Sequence, residues 1–378
     1  MSGRDDERIA RVALGRLFEP GDRKLFDFVT TMGAVRFRDA LLGQGQLDGL
    51  KDNVAERLNG LDAEAELDRS ERMGIRFVIP GDDEWPVWLD QLDDCEPGME
   101  SSGAPLGLWV KGPLRLNELR RSVAVVGSRS STLYGVDVAG EISATLASNG
   151  NCVVSGAAYG IDQGAHRGAL AVEGQTVAVL ACGLDRVYPA AHQNMIRWIG
   201  EHGAVVSELS LGCSPMRHRF LSRNRVIAGL SMGTVVVEAA IRSGALSTAN
   251  WTTRLSRPLM GVPGPVTSET SAGVHQLIRT GAATLVTRGE DVLELIGISG
   301  EHLLLEPRAP EQPRDRLSQR EAQVLDAVPA AQEVGPESIA RVAGLSVKTV
   351  EETLKVLLDL GFVSTGRDGW RLTELARC

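Results

Sequence analysis

The fold is decided by the stretch Val123-Ala-Val-Val-Gly-Ser-Arg-Ser-Ser-Thr-Leu-Tyr-Gly135. Its first four residues are apolar and mostly β-branched, which predicts a buried parallel strand. Gly127 turns the chain, and the Ser and Thr residues that follow offer N-caps for a helix predicted over 136–148. Such a junction directs backbone N–H groups and the positive helix end at an anion, normally a phosphate. Arg129 lies in the loop, where its guanidinium is placed to clasp that phosphate, although a tight turn without a ligand is the alternative.

Two common nucleotide-binding motifs are absent from this stretch. A dinucleotide site needs Gly-x-Gly-x-x-Gly and an acidic residue about 20 residues further on. Here Gly127 is followed by other residue types up to Gly135, and residues 148–150 are Ser, Asn and Gly. The Walker pattern that ends in Gly-Lys-Ser or Gly-Lys-Thr is also missing from the sequence. The sequence therefore predicts neither a nicotinamide site nor ATP-driven chemistry, and we expect no cofactor.

Composition narrows the class of protein. The chain has 378 residues and a formal net charge of −9. This length suits two or three domains, and the charge argues against an indiscriminately basic nucleic-acid binder while leaving local basic patches open. The five cysteines include no Cys-x-x-Cys pair, so we expect buried reduced thiols at Cys152 and Cys182 and no metal site. The first residues are charged, and no apolar run approaches the ~18 residues that cross a bilayer. We therefore expect a cytoplasmic protein with no membrane partner.

The sequence predicts three parts and an α/β fold. Residues 1–75 predict short helices, which indicate a helical domain that is either sterile-alpha-motif-like or helix-hairpin-helix. Residues 76–300 alternate apolar strands with helices, which indicates βαβ units in an extended Rossmann-like parallel sheet domain. A linker rich in Pro, Glu and Arg follows at 306–316. Residues 315–378 predict three helices and a hairpin that turns at 366–369, an arrangement typical of a winged-helix domain.

A second motif, Ser155-Gly-Ala-Ala-Tyr-Gly-Ile-Asp162, follows another predicted strand. Ligands of open α/β sheets bind at the carboxyl ends of the strands. We therefore expect this loop beside Gly127, with Gly156 and Gly160 allowing the two backbones to approach. Asp162 is predicted to cap the next helix rather than to act in catalysis. His166 is predicted to be a structural histidine.

The most basic segment is Met216-Arg-His-Arg-Phe-Leu-Ser-Arg-Asn-Arg225, in which four arginines and a histidine surround one aromatic ring. Arginines that follow a phosphate backbone and a ring that stacks on a base are the minimum for binding a single strand. The alternative is a solvated helix start with Phe220 packed in the core. Asn224 can equally bridge backbone groups of a neighbouring loop.

Together these motifs closely resemble the DNA-processing protein A (DprA/Smf) family of bacterial recombination mediators. The blocks that carry the resemblance are Gly127-Ser-Arg129, Tyr134-Gly135, Ser155-Gly156, Gly160-Ile-Asp162, Ala165-His166, Gly183-Leu-Asp185, Tyr188-Pro189, Phe220-x-x-Arg-Asn-Arg225, Gly229-Leu-Ser231, Glu238-Ala-Ala240, Ser243-Gly244, Val262-Pro-Gly264, Leu277-Ile278 and Gly281-Ala282. They stand in the family's order and spacing and cover the central part of the chain.

The resemblance implies a non-enzymatic protein that binds single-stranded DNA and promotes loading of a RecA-type recombinase, in transformation or in general recombination. It also implies a homodimer, with a single-strand-binding protein as a further partner. The DNA-binding residues that it implies are Gly127, Ser128, Arg129, Ser155, Gly156, Tyr159, Arg217, Arg219, Phe220, Arg223, Asn224, Arg225 and Gly264. Of these, Arg129 with the loop at Gly127 and Ser128 would hold phosphates, and Phe220 with its arginines would meet bases and backbone. Tyr159 departs from the pattern, because many relatives carry arginine there.

The alternative function comes from a related Rossmann superfamily, the nucleoside-monophosphate phosphoribohydrolases. Its members use a Pro-Gly-Gly-x-Gly-Thr-x-x-Glu block. This chain has Gly233-Thr234 and then Glu238, but it has Ser231-Met232 where the glycines that admit the nucleotide would stand. Glycosidic cleavage is therefore the less favoured function, and release of free base from AMP would distinguish the two.

The predicted winged-helix part lacks the charge of a duplex reader. Its candidate recognition helix holds Lys348 and Lys355 against Glu351, Glu352 and Asp359, so the acidic residues outnumber the basic ones by one. Winged helices that read duplex DNA usually do so with a basic helix. The tail is therefore predicted to contact protein or to regulate.

Overall fold

The computed structural model describes residues 3–43, 58, 60–95, 103–297, 302 and 312–376. The chain forms two compact units, Met1–Leu304 and Leu305–Cys378. The N-terminal helices and the central sheet lie in the same unit, so the boundary predicted near residue 75 does not separate two units. Most of the predicted linker over 306–316 lies outside the described residues.

The N-terminal helices share a core with the sheet. They are α1 (Gly3–Leu17), α2 (Arg23–Met32), α3 (Ala34–Leu42) and α4 (Ala63–Arg72). Asp22 caps α2 by accepting a hydrogen bond from the N–H of Leu25, which satisfies one of the free donors at the helix start. Leu14 and Phe37 are buried in the same hydrophobic cluster as Ala178 of the sheet. This common core explains why the helices do not form a unit of their own.

A sheet of nine strands, counted over the described residues, forms the centre of the first unit. The strands are β1 (Ile75–Val78), β2 (Leu108–Lys111), β3 (Ser122–Val126), β4 (Cys152–Ser155), β5 (Thr176–Val179), β6 (Ala204–Ser207), β7 (Gly233–Val236), β8 (Leu259–Gly261) and β9 (Thr284–Leu285). Their order is β1-β2-β6-β5-β4-β3-β7-β8-β9, and every neighbouring pair from β6 to β9 is parallel. The predicted α/β fold with a Rossmann-like, largely parallel sheet is confirmed. The antiparallel strands β1 and β2 at one edge were not predicted.

Helices cover both faces of the sheet. They are α5 (Leu133–Ser148), α6 (Ile161–Ala171), α7 (Gln193–His202), α8 (Arg217–Leu230), α9 (Ala245–Arg254), α10 (Ala272–Arg279) and α11 (Gly289–Ile296). Successive side chains of a strand point to opposite faces. Val125 of β3 therefore clusters with Ile142 of α5, whereas Val126 clusters with Ile227 of α8.

The order of the strands reverses at β3. β4, β5 and β6 lie on one side of β3, and β7, β8 and β9 lie on the other. In such sheets a crevice opens at the carboxyl ends of the two strands where the direction changes, and ligands bind there. Val126 of β3 pairs with Val236 of β7, so the loops after these strands begin side by side. Gly127 therefore stands at the ligand-binding position of the fold.

The second unit contains the predicted elements of the tail. These are α12 (Gln319–Asp326), α13 (Pro336–Ala343), α14 (Val347–Asp359) and the antiparallel hairpin β10 (Val363–Thr365) and β11 (Trp370–Leu372). Ser318 and Glu321 form a capping box at the start of α12. Val324, Leu354 and Phe362 are buried in a separate core. The winged-helix assignment itself stays a prediction.

Two further findings concern the described residues as a whole. None of the helices described is long and apolar enough to span a bilayer. No group of three or more His, Cys, Asp or Glu residues in the described part could hold a metal ion. Cys152 and Cys182 are free and buried, as expected, and burial raises the pKa of the Cys182 thiol to about 11.

Candidate nucleic-acid interface

A cavity of about 1210 Å³ opens at the carboxyl ends of β3 and β7. One wall is the loop after β3, with Ser128 and Arg129, and the facing wall is the first half of α8, with Arg217 and Phe220. A third side is the segment that leads from β7 into α9, residues 240–248. The cavity thus unites the glycine loop and the basic segment, which the sequence analysis identified separately.

The loop after β3 is a tight turn, and its glycine is required by close approach. A Cβ at Gly127 would lie 2.5 Å from Cγ1 of Ile161 and 2.7 Å from the carbonyl oxygen of Glu238. Gly160, with a φ of 77°, packs against the same loop, and the N–H of Ile161 donates to the carbonyl oxygen of Ser128 at 3.2 Å. The approach predicted at Gly160 is therefore confirmed, whereas the nearest atoms at Gly156 belong to the Arg223 guanidinium rather than to the Gly127 loop. Gly160 is also the N-cap of α6, so the prediction that Asp162 caps this helix was wrong.

The anion at the start of α5 is a side chain of the protein itself. The carboxylate of Glu238 accepts hydrogen bonds from the N–H of Thr132 at 2.9 Å, from its hydroxyl at 2.7 Å and from the hydroxyl of Thr270 at 3.2 Å. The N–H of Ser128 donates to the Glu238 carbonyl oxygen at 2.6 Å. These two N–H groups are therefore not free for a phosphate, and of the loop's predicted contacts the Arg129 side chain is the one left exposed.

Glu238 is also the residue on which the hydrolase alternative depends. Its side chain is buried, and Gly135 packs against it so closely that a Cβ there would lie 2.5 Å from its carboxylate. A catalytic carboxylate must reach its substrate. Glu238 instead accepts hydrogen bonds from Thr132 at the start of α5.

Phe220 and Arg129 meet at the mouth of the cavity. The guanidinium carbon of Arg129 lies 4.5 Å from the centroid of the Phe220 ring, which is cation–π distance. The ring centroid of Tyr188 lies 5.7 Å from that of Phe220. Arg129 is exposed and Phe220 is half-buried. The pair offers a flat ring and a cation within reach of one nucleotide.

The first two arginines of α8 point in different directions. Arg217 is exposed and lines the cavity. Arg219 forms an ion pair with Glu19, with its Nη2 2.6 Å from Oε1 of Glu19, and it also donates to the carbonyl oxygen of Ser214. The hydrogen bond from Arg219 is the main cause of the lowered pKa of Glu19. Arg219 therefore attaches the N-terminal segment at Glu19 to α8, and its predicted DNA contact competes with this ion pair.

Arg223 is a buried cation beneath the site. Its Nη1 donates to the carbonyl oxygen of Val179 at 2.8 Å, and the guanidinium fills the space that a side chain at Gly156 would need. Its Nε has no partner among the described residues. Burial lowers the pKa of Arg223 to about 10, and the nearby Asp162 carboxylate partly opposes this shift. Arg223 lines the inner end of the cavity, with its centre 5.9 Å from the Phe220 ring.

Asn224 and Arg225 have structural contacts. The side-chain amide of Asn224 donates to the carbonyl oxygen of Gly244 at 3.1 Å, which is the loop-bridging role given as the alternative. Arg225 is fully buried and places both terminal nitrogens 2.6 Å from the carboxylate of Glu208. This burial and pairing give Arg225 a structural role and argue against the predicted DNA contact.

The remaining predicted residues lie around the cavity rather than in it. Ser155 is buried and donates to the carbonyl oxygen of Val125 at 2.7 Å, so its hydroxyl joins two strands. Tyr159 is half-exposed, and its ring centroid lies 4.8 Å from that of His192 in an edge-to-face arrangement. Gly264 follows β8 and packs against Ser271. Tyr159 is thus the member of this group that exposes a ring to solvent.

The sequence motifs did not predict the wall contributed by the segment after β7 and by α9. Arg242 and Arg254 are exposed there and line the cavity, and the guanidinium of Arg254 lies 4.9 Å from the ring of Trp251. The available signal was topological. β7 lies beside β3, on the side opposite β4. The loop that follows β7 therefore begins at the same crevice as the loop that follows β3.

The two remaining motif residues, Asp162 and His166, are buried. The carboxylate of Asp162 accepts from the N–H groups of Gly156 and Ala158, and burial raises its pKa. His166 is buried, and its Nδ1 lies 2.8 Å from the hydroxyl of Thr176. Burial lowers the pKa of His166 to about 3, which agrees with the predicted structural role.

Residues 76–297 match the family described as DNA recombination-mediator protein A. The chain belongs to this family. A DNA processing protein DprA of Mycobacterium tuberculosis is 43% identical over 364 residues, which cover 95% of this chain and 92% of the relative. Protein Smf of Escherichia coli is 40% identical over 236 residues, which cover 62% of this chain and 59% of the relative.

Two solved structures of the DprA family are similar to this chain. The DNA processing protein A of Streptococcus pneumoniae is 31% identical with a TM-score of 0.63, and the match covers 76% of this chain and 96% of that one. The DNA processing protein A of Helicobacter pylori, whose structure describes a single-stranded DNA binding mode, is 27% identical with a TM-score of 0.50. That match covers 58% of this chain and 94% of the other.

Proposed function

We propose that this protein binds single-stranded DNA at the cavity formed by the β3 loop, α8 and α9. The observation that carries the proposal is the pair of Phe220 and Arg129, whose guanidinium lies 4.5 Å from the ring at the mouth of the cavity. The ring supplies a surface for an unpaired base, and the exposed guanidinium supplies a contact for the adjoining phosphate. The single-stranded DNA binding described for the Helicobacter pylori relative supports this proposal.

The distribution of aromatic rings favours a single strand over a duplex. The chain has three tyrosines, and Tyr134, Tyr159 and Tyr188 are all half-exposed near the carboxyl ends of β3, β4 and β5. Arg217, which is exposed and lines the cavity, adds positive charge. Bases that are paired in a duplex do not offer their faces to such rings, whereas unpaired bases do.

A titration that compares single-stranded with duplex DNA over a range of salt tests the proposal. We expect tighter binding of a labelled oligothymidylate than of a duplex of equal length. We also expect affinity to fall with salt, because binding to phosphates releases counterions. Equal affinity for the two forms at every salt concentration would contradict the proposal.

We propose further that the DNA-bound protein promotes loading of a RecA-type recombinase and acts as a homodimer. A single-strand-binding protein is the partner that it would displace from the strand. The test is the rate of recombinase filament formation on single strands already coated with single-strand-binding protein. We expect this protein to raise that rate, and an Arg129→Ala variant to raise it less.

The proposed function involves no catalytic turnover. Glu238, the residue that a phosphoribohydrolase would need, is buried and holds two threonines. Incubation with AMP should release no free adenine. Release above that of a buffer control would support the enzymatic alternative.

A further inference from the structure

A second concave surface lies along α7 and shares no lining residue with the cavity at the switch point. Its volume is about 320 Å³. The buried side chains of Leu180, Leu184, Ile196 and Val205 make its floor apolar. Val187, with 37% of its surface exposed, forms part of its wall. We call this surface the α7 groove.

The rim of the α7 groove is positively charged. Lys111, Arg186 and Arg197 all line it and are exposed. None of the three forms an ion pair within the part of the chain that the structure describes. Glu201 is the one acidic residue of the lining, which leaves two positive charges in excess. In a chain with a net charge of −9, such a cluster is a local feature that attracts anionic partners.

Asp185, the acidic residue next to Arg186 in the sequence, does not neutralise the charge of the rim. Asp185 precedes Arg186, but it forms an ion pair with Arg69 of α4 at 3.6 Å and accepts from the N–H of Gly212 at 2.7 Å. Asp185 is therefore engaged by other groups, and the three rim cations remain available to a ligand.

The chemistry of the lining distinguishes the α7 groove from a path for nucleic acid. The lining contains no aromatic side chain, so nothing in it can stack on a base. Its floor is aliphatic, which suits an apolar side chain, and its rim is cationic, which suits carboxylates. A peptide that combines acidic residues with an apolar anchor matches both properties.

We propose that the α7 groove binds an acidic peptide segment of a partner protein. An apolar side chain of that segment enters the floor between Leu184 and Ile196, while its carboxylates pair with Lys111, Arg186 and Arg197. Docking here leaves Arg129 and Phe220 open to DNA. The α7 groove and the DNA site share no lining residue, so the failure of either proposal leaves the other standing.

The test uses the full chain and a short fluorescein-labelled peptide of aspartate and glycine with a Leu-Phe pair at its centre. We expect saturable binding by fluorescence anisotropy, weakened by salt because the contacting charges are exposed. Arg197→Glu should weaken binding about tenfold, because an attraction is replaced by a repulsion. Arg167→Glu, which reverses an exposed arginine on α6 outside the groove, should leave binding unchanged.

A second variant separates the apolar contact from the charge. Val187→Ser should weaken binding of the Leu-Phe peptide several-fold, and it should not affect a peptide in which that pair is Ser-Ser. Both variants change exposed side chains, so their melting temperatures should equal that of the parent chain. Oligothymidylate affinity should also be unchanged in Arg197→Glu.

Three results would overturn the proposal. The first is no binding of the acidic peptide at low salt. The second is equal weakening of peptide binding by Arg197→Glu and Arg167→Glu, which would indicate non-specific electrostatic attraction rather than binding in the groove. The third is weaker oligothymidylate binding in Arg197→Glu with peptide binding unaffected, which would make the groove a nucleic-acid path.

Discussion

Phe220 can stack on an unpaired base or pack inside the protein, and its surroundings favour stacking. The ring is only half-buried and has the Arg129 guanidinium 4.5 Å from its centroid. We expect Phe220→Ala to weaken single-strand binding by about 1–3 kcal/mol with little change in melting temperature, and Phe220→Trp to keep most of the affinity. If Phe220 were a core residue, its truncation to alanine would instead lower the folding stability by about 3–5 kcal/mol. Thermal unfolding recorded beside the DNA titration distinguishes the two roles.

Arg129 is exposed at the mouth of the cavity and provides a test of phosphate binding. Arg129→Ala should weaken binding about equally for all base sequences, because a phosphate contact carries no sequence information. The slope of log affinity against log salt should become shallower by about 0.7, the value for one phosphate of a single strand. Arg167→Ala, on the exposed side of α6, is the matched control and should keep the parent slope. Identical slopes in all three proteins would remove the assignment.

Arg225 provides the opposite case, an arginine of the same segment with a structural role. It is fully buried and pairs with Glu208 through both terminal nitrogens. Arg225→Ala should lower the free energy of unfolding by about 3–5 kcal/mol, because it leaves a carboxylate without its partner. Urea unfolding measures this loss. Under conditions in which Arg225→Ala is folded, it should bind oligothymidylate with the affinity of the parent chain. Weaker DNA binding at an unchanged unfolding midpoint would return Arg225 to the interface.

At the scale of elements, the start of α5 depends on an internal anion. Glu238 accepts from the N–H and the hydroxyl of Thr132, next to the positive end of the helix dipole. Glu238→Ala should destabilise the fold by about 1–3 kcal/mol because the partly buried hydrogen bonds from Thr132 and Thr270 lose their acceptor. Glu238→Gln should cost less, since the amide oxygen still accepts. Unfolding curves of both variants, compared with the parent, test this order, and two unchanged curves would show that Glu238 is not a structural anchor.

Elements with a strong local pattern could be predicted, and contacts between distant segments could not. The run of apolar residues in β3 is typical of a strand buried on both faces, so the strand and the turn at Gly127 followed from the sequence. The direction of each arginine in α8 depends on partners far away in the chain. Arg225 is buried because Glu208 meets it, and Arg219 is turned aside by Glu19. The basic segment therefore predicted one wall of the cavity but not which of its arginines line it.

At the scale of the whole molecule, the two units have separate cores, so the tail should be removable. We expect a chain ending at residue 304 to fold, to bind oligothymidylate with the parent salt slope, and to form the proposed homodimer. The edge strand β9 is exposed, with Leu285 half-exposed, and an unpaired sheet edge is a surface that a second copy can cover. The cut belongs after residue 304, because removing residues 1–75 would also strip α1 and α3 from the core that they share with β5. Sedimentation of the shortened and full chains at the same micromolar concentration compares their oligomeric states. A monomeric shortened chain beside a dimeric full chain would place the dimer interface in the tail.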